Sequence, residues 1–189
     1  LGEINLSYEQ NVPLLCFIGK FDRDNGLDII EEILEELLKI NIRIVFIGQG
    51  YKHYEDLMFI YQNKYPNKVA VIEDFPNAYI HKVIAGSDMI ISPPRYEPCG
   101  LISMYSLKYG TIPIVKNIGG LKDTIIDGET GIKFNLHKGE TLLESIQKAI
   151  NIYRNDKENW LRLMKNAMSE DISWEKVSKE YKKVYSKLL

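Results

Sequence analysis

Cysteine and histidine are scarce in this sequence, which has two of the first and three of the second among 189 residues. Cys16 lies in an apolar run and Cys99 in a loop rich in proline and glycine, so their spacing suggests neither a disulfide framework nor a zinc site. His53, His81 and His137 share no ligand spacing with one another or with the cysteines. We therefore expect no metal centre, and we expect a reducing compartment such as the cytoplasm.

Long apolar runs and an excess of positive charge are missing as well. No run approaches the ~20 apolar residues that a membrane-spanning helix needs, so no membrane segment is expected. Lys and Arg total 24 against 26 for Asp and Glu, and the net charge of −2 gives no reason to expect binding to nucleic acid. No signal peptide is visible and the first residue is not Met, which suggests a processed chain or a piece of a longer one. For a plant or algal source, a plastid is the alternative location.

Short apolar runs alternate with amphipathic patterns along the first two thirds of the chain. The apolar runs predict six strands, at residues 14–18, 42–47, 69–72, 89–92, 112–115 and 131–134. Helical spacing predicts helices between them at 27–39, 78–85 and 101–109, and a further one that is marked by residues 54–61 and ended by Pro66. Gly119-Gly120 is typical of a turn. Continuous apolar strands have no solvated face, so the pattern predicts a parallel sheet with helices on both faces, a doubly wound α/β fold. Residues 140–189 predict helices only.

Several glycine-containing loops follow the predicted strands, where open parallel sheets bind their ligands. Residues 19–26 include Lys20 and Asn25, and this loop could hold a phosphate. An ordinary charged turn is the simpler interpretation, because the loop has neither G-x-G-x-x-G nor Walker spacing. Gly48-Gln49-Gly50 indicates either close approach of a ligand to the backbone or a tight turn. Gly119-Gly120 would admit a ligand near backbone amides.

The loop at residues 93–100 is the most informative. It is bounded by prolines, and Gly100 begins a helix whose first N–H groups lack acceptors within the helix and so attract anions. A mere turn would need no glutamate between prolines, so we expect a functional carboxylate at Glu97. Cys99 is more simply explained as a small, partly buried thiol than as a nucleophile, because no histidine can be placed beside it as a base.

Two segments carry a resemblance to a known family, namely Arg95-Tyr96-Glu97-Pro98-Cys99-Gly100-Leu101 and Gly119-Gly120-Leu121-Lys122-Asp123-Thr124. They resemble the signature of the bacterial and archaeal glycogen synthases and the plant starch synthases. Residues 130–134, and Ser173-Trp174 with the tyrosines that follow, extend the resemblance over almost the whole chain.

The resemblance implies the GT-B architecture, in which two Rossmann-like halves enclose the active site. This chain resembles the C-terminal half alone, as a single domain over residues 1–189 with the sheet and its helices at 12–135 and further helices at 140–189. The N-terminal, acceptor-side half is absent. The family binds ADP-glucose, or UDP-glucose in some members, without a metal or other cofactor, and transfers glucose to the non-reducing end of an α-1,4-glucan with retention. We therefore expect the chain alone to be inactive. We also expect part of the apolar face of its last helix, which crosses onto the other half in the family, to be exposed.

The same resemblance implies roles for the candidate site residues. Glu97 and Lys20 are the implied catalytic residues, with Glu97 contacting the glucose near its reacting carbon. Phe75 would stack on the base, and Asn25 stands where the family has a lysine on the diphosphate. The other implied substrate-binding residues surround the sugar, the diphosphate and the nucleoside: Arg95, Cys99, Gly100, Leu101, Ile102, Gly48, Gly50, Gly119 and Gly120.

Two departures from the family pattern leave alternatives open. Lys20 replaces a longer arginine and Asn25 removes a charge, with Arg23 or Arg95 as a candidate substitute cation. One hypothesis is an active glycogen or starch synthase. The second is a catalytically weak or inactive homologue that binds nucleotide sugar or glucan as a regulatory or scaffold subunit. An NAD-binding domain is less favoured, because the Gly-rich fingerprint and its acidic ribose ligand are missing.

Overall fold

Six short strands form one parallel sheet. The computed structural model describes residues 6, 7, 9–73 and 76–187. The strands are β1 (Leu14–Ile18), β2 (Arg43–Ile47), β3 (Val69–Ile72), β4 (Met89–Ser92), β5 (Ile112–Lys116) and β6 (Ile132–Phe134). They lie in the order β3-β2-β1-β4-β5-β6, and every neighbouring pair is parallel. The predicted doubly wound sheet is confirmed.

Helices connect the strands and follow the last one. They are α1 (Leu27–Lys39), α2 (Lys52–Lys64), α3 (Asn77–Gly86), α4 (Leu101–Tyr109), α5 (Gly119–Thr124), α6 (Gly139–Asn155), α7 (Lys157–Ser169) and α8 (Trp174–Tyr185). The prediction of a turn at Gly119-Gly120 is wrong, because these glycines begin α5. Leu121 of this helix is fully buried, which favours the short helix, and Thr124 Oγ1 donates to the Gly120 carbonyl over 2.8 Å.

Apolar side chains cover the sheet on both faces, as the strand pattern predicts. Leu15 and Phe17 of β1 pack in one core cluster with α1, while Leu14 and Cys16 of the same strand pack in a second cluster with Val83 of α3. Successive side chains of a strand point to opposite faces, so a strand that is apolar throughout must be covered twice. This double cover leaves the carboxyl ends of the strands as the place for polar loops.

The α8 helix carries an exposed apolar face. None of its residues is buried, and Trp174 is 78% exposed. Val177, Tyr181 and Val184 follow at helical spacing and are exposed too. The expected exposure of this face is confirmed. In residues 6, 7, 9–73 and 76–187 there is no helix with both the length and the apolar character to cross a membrane.

Candidate functional site

The candidate site lies at the carboxyl edge of the sheet, between β1 and β4. The chain runs from β1 outward to β2 and β3 and then returns to β4 on the other side of β1. Such a switch point leaves a crevice in which ligands of doubly wound folds bind. A cleft of about 240 Å³ opens there between the ends of the two strands, the loop after β1, the loop at 93–100 and the first turn of α4.

The cleft brings together predicted site residues from two distant segments. Those that line it are Asn25, Glu97, Cys99, Gly100, Leu101 and Ile102. Lys20, Arg95, Gly48 and Gly50 belong to the surrounding loops and not to its lining, and Gly119 and Gly120, which begin α5, lie outside the lining too. Phe75, which the resemblance assigns to base stacking, lies outside the described residues.

Glu97 holds its own loop in shape. One carboxylate oxygen, Oε1, accepts hydrogen bonds from the backbone N–H of Cys99 over 3.1 Å and of Gly100 over 2.9 Å. These amides precede α4, so the carboxylate satisfies donors just before the helix begins. The glutamate between prolines therefore has a structural partner as well as a place in the cleft.

Gly119-Gly120 lets α5 pack directly on the Glu97 loop. The Gly120 N–H donates to the Glu97 carbonyl over 2.9 Å. A Cβ added at Gly119, whose φ is +49°, would lie 2.0 Å from that carbonyl oxygen, and one at Gly120 would lie 2.7 Å from the Cys99 carbonyl oxygen. The close approach that the glycine pair permits is thus made by the loop that carries Glu97.

A buried carboxylate organises the loop after β1. Asp22 is 5% exposed, and its Oδ1 accepts from the Asn25 side-chain amide over 2.8 Å and from the Asn25 backbone N–H over 2.9 Å. Lys20 Nζ lies 3.5 Å from Asp22 Oδ2. Burial raises the pKa of Asp22, but the hydrogen bonds from Asn25 and Lys20 outweigh it, so the pKa lies below its usual value. Asp22 therefore binds both residues to which the resemblance assigns the diphosphate.

The loop after β2 is joined to the loop after β1. The Phe21 N–H donates to the Gln49 carbonyl over 3.0 Å, and the Tyr51 N–H donates back to the Phe21 carbonyl over 2.9 Å. Gly48 permits this pairing, because a Cβ there would lie 1.8 Å from the Gly19 carbonyl oxygen. The Tyr51 ring lies beside the Lys20 ammonium, 5.4 Å from Nζ to the ring centroid.

Arg95 is held by an acidic side chain of α1. Its guanidinium forms a hydrogen-bonded ion pair with Asp28, and its backbone N–H donates to the Asp24 carbonyl over 2.7 Å. The same Asp28 carboxylate lies 3.2 Å from His137 Nε2. Residues from three connections, after β1, β4 and β6, therefore meet beside the cleft.

Burial and neighbouring cations lower the pKa of two basic side chains in this group. Burial is the main reason that the pKa of His137 lies below its ordinary value; Asp28 opposes this, whereas Arg95 and Lys116 add to it. Burial also lowers the pKa of Lys116, with Arg95 acting in the same direction and Asp28 against it. Sequence reasoning missed Asp28, His137 and Lys116 as neighbours. Only the strand order, which brings the ends of β1, β4, β5 and β6 to one edge, could have indicated their proximity.

The other candidate cation, Arg23, lies on the surface away from the cleft lining. It is exposed, and a hydrogen bond with the Tyr54 hydroxyl is the main reason that the pKa of Arg23 is raised. The cleft lining among the described residues contains neither Arg23 nor Arg95.

The two cysteines differ sharply in environment. Burial raises the pKa of Cys16 to about 12, although a hydrogen bond with Ser87 opposes the rise. Cys99 is exposed at the cleft, and both thiols are free. Across the described ranges, which omit 1–5, 8, 74–75 and 188–189, no three His, Cys, Asp or Glu side chains come together in a way that could hold a metal ion.

Comparison with known proteins connects this chain to sugar-transferring enzymes. Residues 5–167 match the model of a family described as "Glycosyl transferases group 1". The chain is 42% identical over 185 residues to a glycogen synthase of Koribacter versatilis (strain Ellin345), covering 95% of this chain and 38% of that protein. It is 41% identical over 193 residues to a glycogen synthase of Clostridium botulinum (strain Alaska E43 / Type E3), covering 99% of this chain and 40% of that protein.

A solved structure supports the same relationship. The chain aligns with the catalytic domain of starch synthase IV from Arabidopsis thaliana bound to ADP and acarbose, with a TM-score of 0.88 and 28% identity, over 98% of this chain and 40% of that one. The predicted resemblance and the Rossmann-like fold of a GT-B half are confirmed. The chain spans about two fifths of the length of these relatives.

Proposed function

Because this chain belongs to the group 1 glycosyl transferases, we propose that it is the donor-binding half of a glycogen or starch synthase. The reaction is transfer of glucose from ADP-glucose or UDP-glucose to the non-reducing end of an α-1,4-glucan, with retention of the anomeric configuration. The observation that carries the proposal is the cleft at the switch point, where the Glu97 loop, the start of α4 and Asn25 face one another. The similarity to a starch synthase domain bound to ADP supports it.

The start of α4 suits a nucleoside diphosphate. The first N–H groups of a helix lack intrahelical acceptors and carry partial positive charge, which stabilises phosphate oxygens. Leu101 and Ile102 supply such groups at the cleft. Negative charge on the departing diphosphate grows in the transition state, so donors fixed in place beforehand stabilise it more than they stabilise the ground state.

Glu97 has two roles in this proposal. Its Oε1 fixes the Cys99 and Gly100 amides, and the carboxylate also lines the cleft. A donor glucose in the cleft would lie next to this carboxylate, while the nucleotide lies further along the sheet edge toward the β2 loop. Lys20 would bind the diphosphate in competition with Asp22, 3.5 Å away.

The decisive experiment measures glucose transfer by the full-length protein, with ADP-glucose and UDP-glucose in parallel and a maltooligosaccharide as acceptor. We expect transfer from one or both donors, with the new linkage in the α configuration. The 189 residues alone should bind ADP or UDP weakly and transfer nothing, since the acceptor-side half of the cleft is missing. Absence of transfer by the full-length protein with either donor would contradict the proposal.

A variant of Glu97 tests the site itself. Glu97→Gln keeps an amide oxygen that can accept from the Cys99 and Gly100 amides, so the loop should stay intact while the negative charge is lost. We expect transfer to fall at least 100-fold and the Kd for ADP to change less than twofold. Glu31→Gln, on the outer surface of α1, is the matched control and should leave both unchanged. Full activity of Glu97→Gln would mean that the cleft is wrongly assigned.

One observation favours a second function, a weak or inactive homologue that binds nucleotide sugar or glucan as a regulatory or scaffold subunit. Lys20 and Asn25 are both engaged with Asp22, and neither Arg23 nor Arg95 lines the cleft. ADP binding by the full-length protein without any glucose transfer would favour this alternative. For either function we propose the cytoplasm as the location, in keeping with two free cysteines.

A further inference from the structure

Asp28 connects the loop that carries Glu97 to the body of the domain. Its carboxylate, 18% exposed, pairs with the Arg95 guanidinium and lies 3.2 Å from His137 Nε2. We propose that Asp28 is a positioning residue, which fixes the loop at residues 93–100 through Arg95 while His137 holds the carboxylate from the other side. The effect on glucose transfer rests on the proposed function, whereas the effect on the loop does not.

Described hydrogen bonds tie the loop to the rest of the chain near both of its ends. Near its start, the Arg95 side chain binds Asp28 and the Arg95 N–H donates to the Asp24 carbonyl over 2.7 Å. Near its end, the Glu97 carbonyl accepts from the Gly120 N–H over 2.9 Å. Arg95 is two residues from Glu97, so these contacts restrain the backbone close to the Glu97 carboxylate.

The ion pair joins a half-exposed guanidinium to a largely buried carboxylate. Hydrogen bonds between arginine and carboxylate are about twice as strong as neutral ones, and partial burial of Asp28 reduces screening by water. Asp28 lies in the first turn of α1, where a carboxylate also interacts favourably with the helix dipole. A displacement of about 1 Å at a reacting group can cost 100-fold in rate, so a distant anchor of this kind matters for catalysis.

The test replaces the carboxylate by its neutral isostere, Asp28→Asn, in the full-length protein. Glu31→Gln is the matched control, because Glu31 lies one turn further along α1 and pairs with His53 at 3.0 Å, away from the cleft. Hydrogen exchange of the Arg95, Gly100 and Gly120 amides reports the loop directly. We expect Asp28→Asn to accelerate this exchange at least fivefold and Glu31→Gln to leave it unchanged.

Kinetics then separate positioning from direct binding. Asp28→Asn should lower kcat at least tenfold, with less than a twofold change in the Kd for ADP. Arg95→Ala should reproduce both effects, and the double variant should be no worse than either single one, since both remove the same contact. Arg95 is half exposed, so its replacement tests the proposal even if Asp28→Asn fails to fold.

Two results would overturn the proposal. The first is unchanged amide exchange in both Asp28→Asn and Arg95→Ala. The second is a rise in the Kd for ADP as large as the fall in kcat, which would mean that Arg95 binds the diphosphate itself. If the wild-type protein transfers no glucose, the exchange measurement still decides whether Asp28 fixes the loop, so failure of the proposed function is distinguishable from failure of this inference.

Discussion

Asn25→Lys should strengthen binding of ADP, because it adds a cation to a loop whose own cation is already engaged. Lys20 Nζ lies 3.5 Å from Asp22 Oδ2, and Asn25 donates to Asp22 Oδ1 over 2.8 Å. With lysine at position 25, one carboxylate would face two ammonium groups, and one of these would be available to phosphate. A charge-assisted contact contributes about 1.5 to 3 kcal/mol, or roughly a 10- to 150-fold lower Kd.

The structure indicates the lower end of that range. The Lys20 side chain is 61% exposed, so water and salt screen the ammonium groups of this loop. The substitution also removes the hydrogen bond from the Asn25 amide to Asp22, although the new ammonium can replace it. We therefore expect a Kd for ADP about 10-fold lower than that of the wild type. The transfer rate should rise more than the affinity, since charge on the leaving group grows during the reaction.

Calorimetric titration with ADP, AMP and adenosine checks this prediction. The gain should be largest for ADP, absent for adenosine and smaller at high ionic strength. Asn63→Lys is the control, because it adds the same charge away from the cleft, at an exposed residue near the far end of α2. An unchanged Kd for ADP in Asn25→Lys would refute the reasoning and would mean that the loop does not point at phosphate. A large loss of ADP binding in Arg23→Ala would identify that residue as the substitute cation.

Three further predictions concern stability. Gly119→Ala should lower the free energy of unfolding by more than Gly128→Ala does. The φ angle is positive at both glycines, which costs about 1 to 2 kcal/mol for alanine, but only at Gly119 would the added Cβ meet a carbonyl oxygen. Equal losses in urea would contradict this. The pKa of His137 is lowered in the native state, so the unfolded chain binds the proton more readily and acid favours unfolding. His137→Gln should therefore reduce the fall in the free energy of unfolding below about pH 6.5. Parallel pH profiles would exclude this role. Trp174→Ser and Tyr181→Ser should each change the free energy of unfolding by less than about 0.5 kcal/mol, since both side chains are exposed. A larger loss in thermal unfolding would mean that α8 packs on the chain.

The strands are the part of the fold that can be predicted best. Most of their residues are apolar because both faces of the sheet are covered, and the run at 42–47, for example, differs from β2 only at its first residue. Helices are predicted less completely where their ends are polar. The pattern at 54–61 finds the centre of α2, but its first and last turns carry no apolar period. In α5, the two glycines are typical of a turn, and a single buried leucine is not enough to indicate a helix.

The site divides in the same way between local and distant contacts. Glu97, Cys99 and Gly100 are near neighbours in sequence, so a motif can group them, but the hydrogen bonds among them depend on backbone angles such as the Gly100 φ of +77°. The Arg95 and Asp28 pair joins residues 67 positions apart. No local pattern marks that contact, because it exists only once the strand order has brought the two connections to one edge.

The central position of β1 has a consequence for synthesis of the chain. Its partner β2 begins 25 residues after β1 ends, whereas its other partner, β4, begins 71 residues after it. At ~5 to 20 residues per second, the ribosome needs about 4 to 14 seconds to synthesise the chain from the end of β1 to the start of β4. Until then one edge of β1 has no partner strand. Throughout that interval an apolar strand presents unpaired N–H and C=O groups, which are a template for pairing with other chains. The crossing that creates the proposed nucleotide crevice thus also creates an interval in which the nascent protein is prone to aggregate, and no nucleotide can shorten it, because the crevice does not exist until β4 is synthesised.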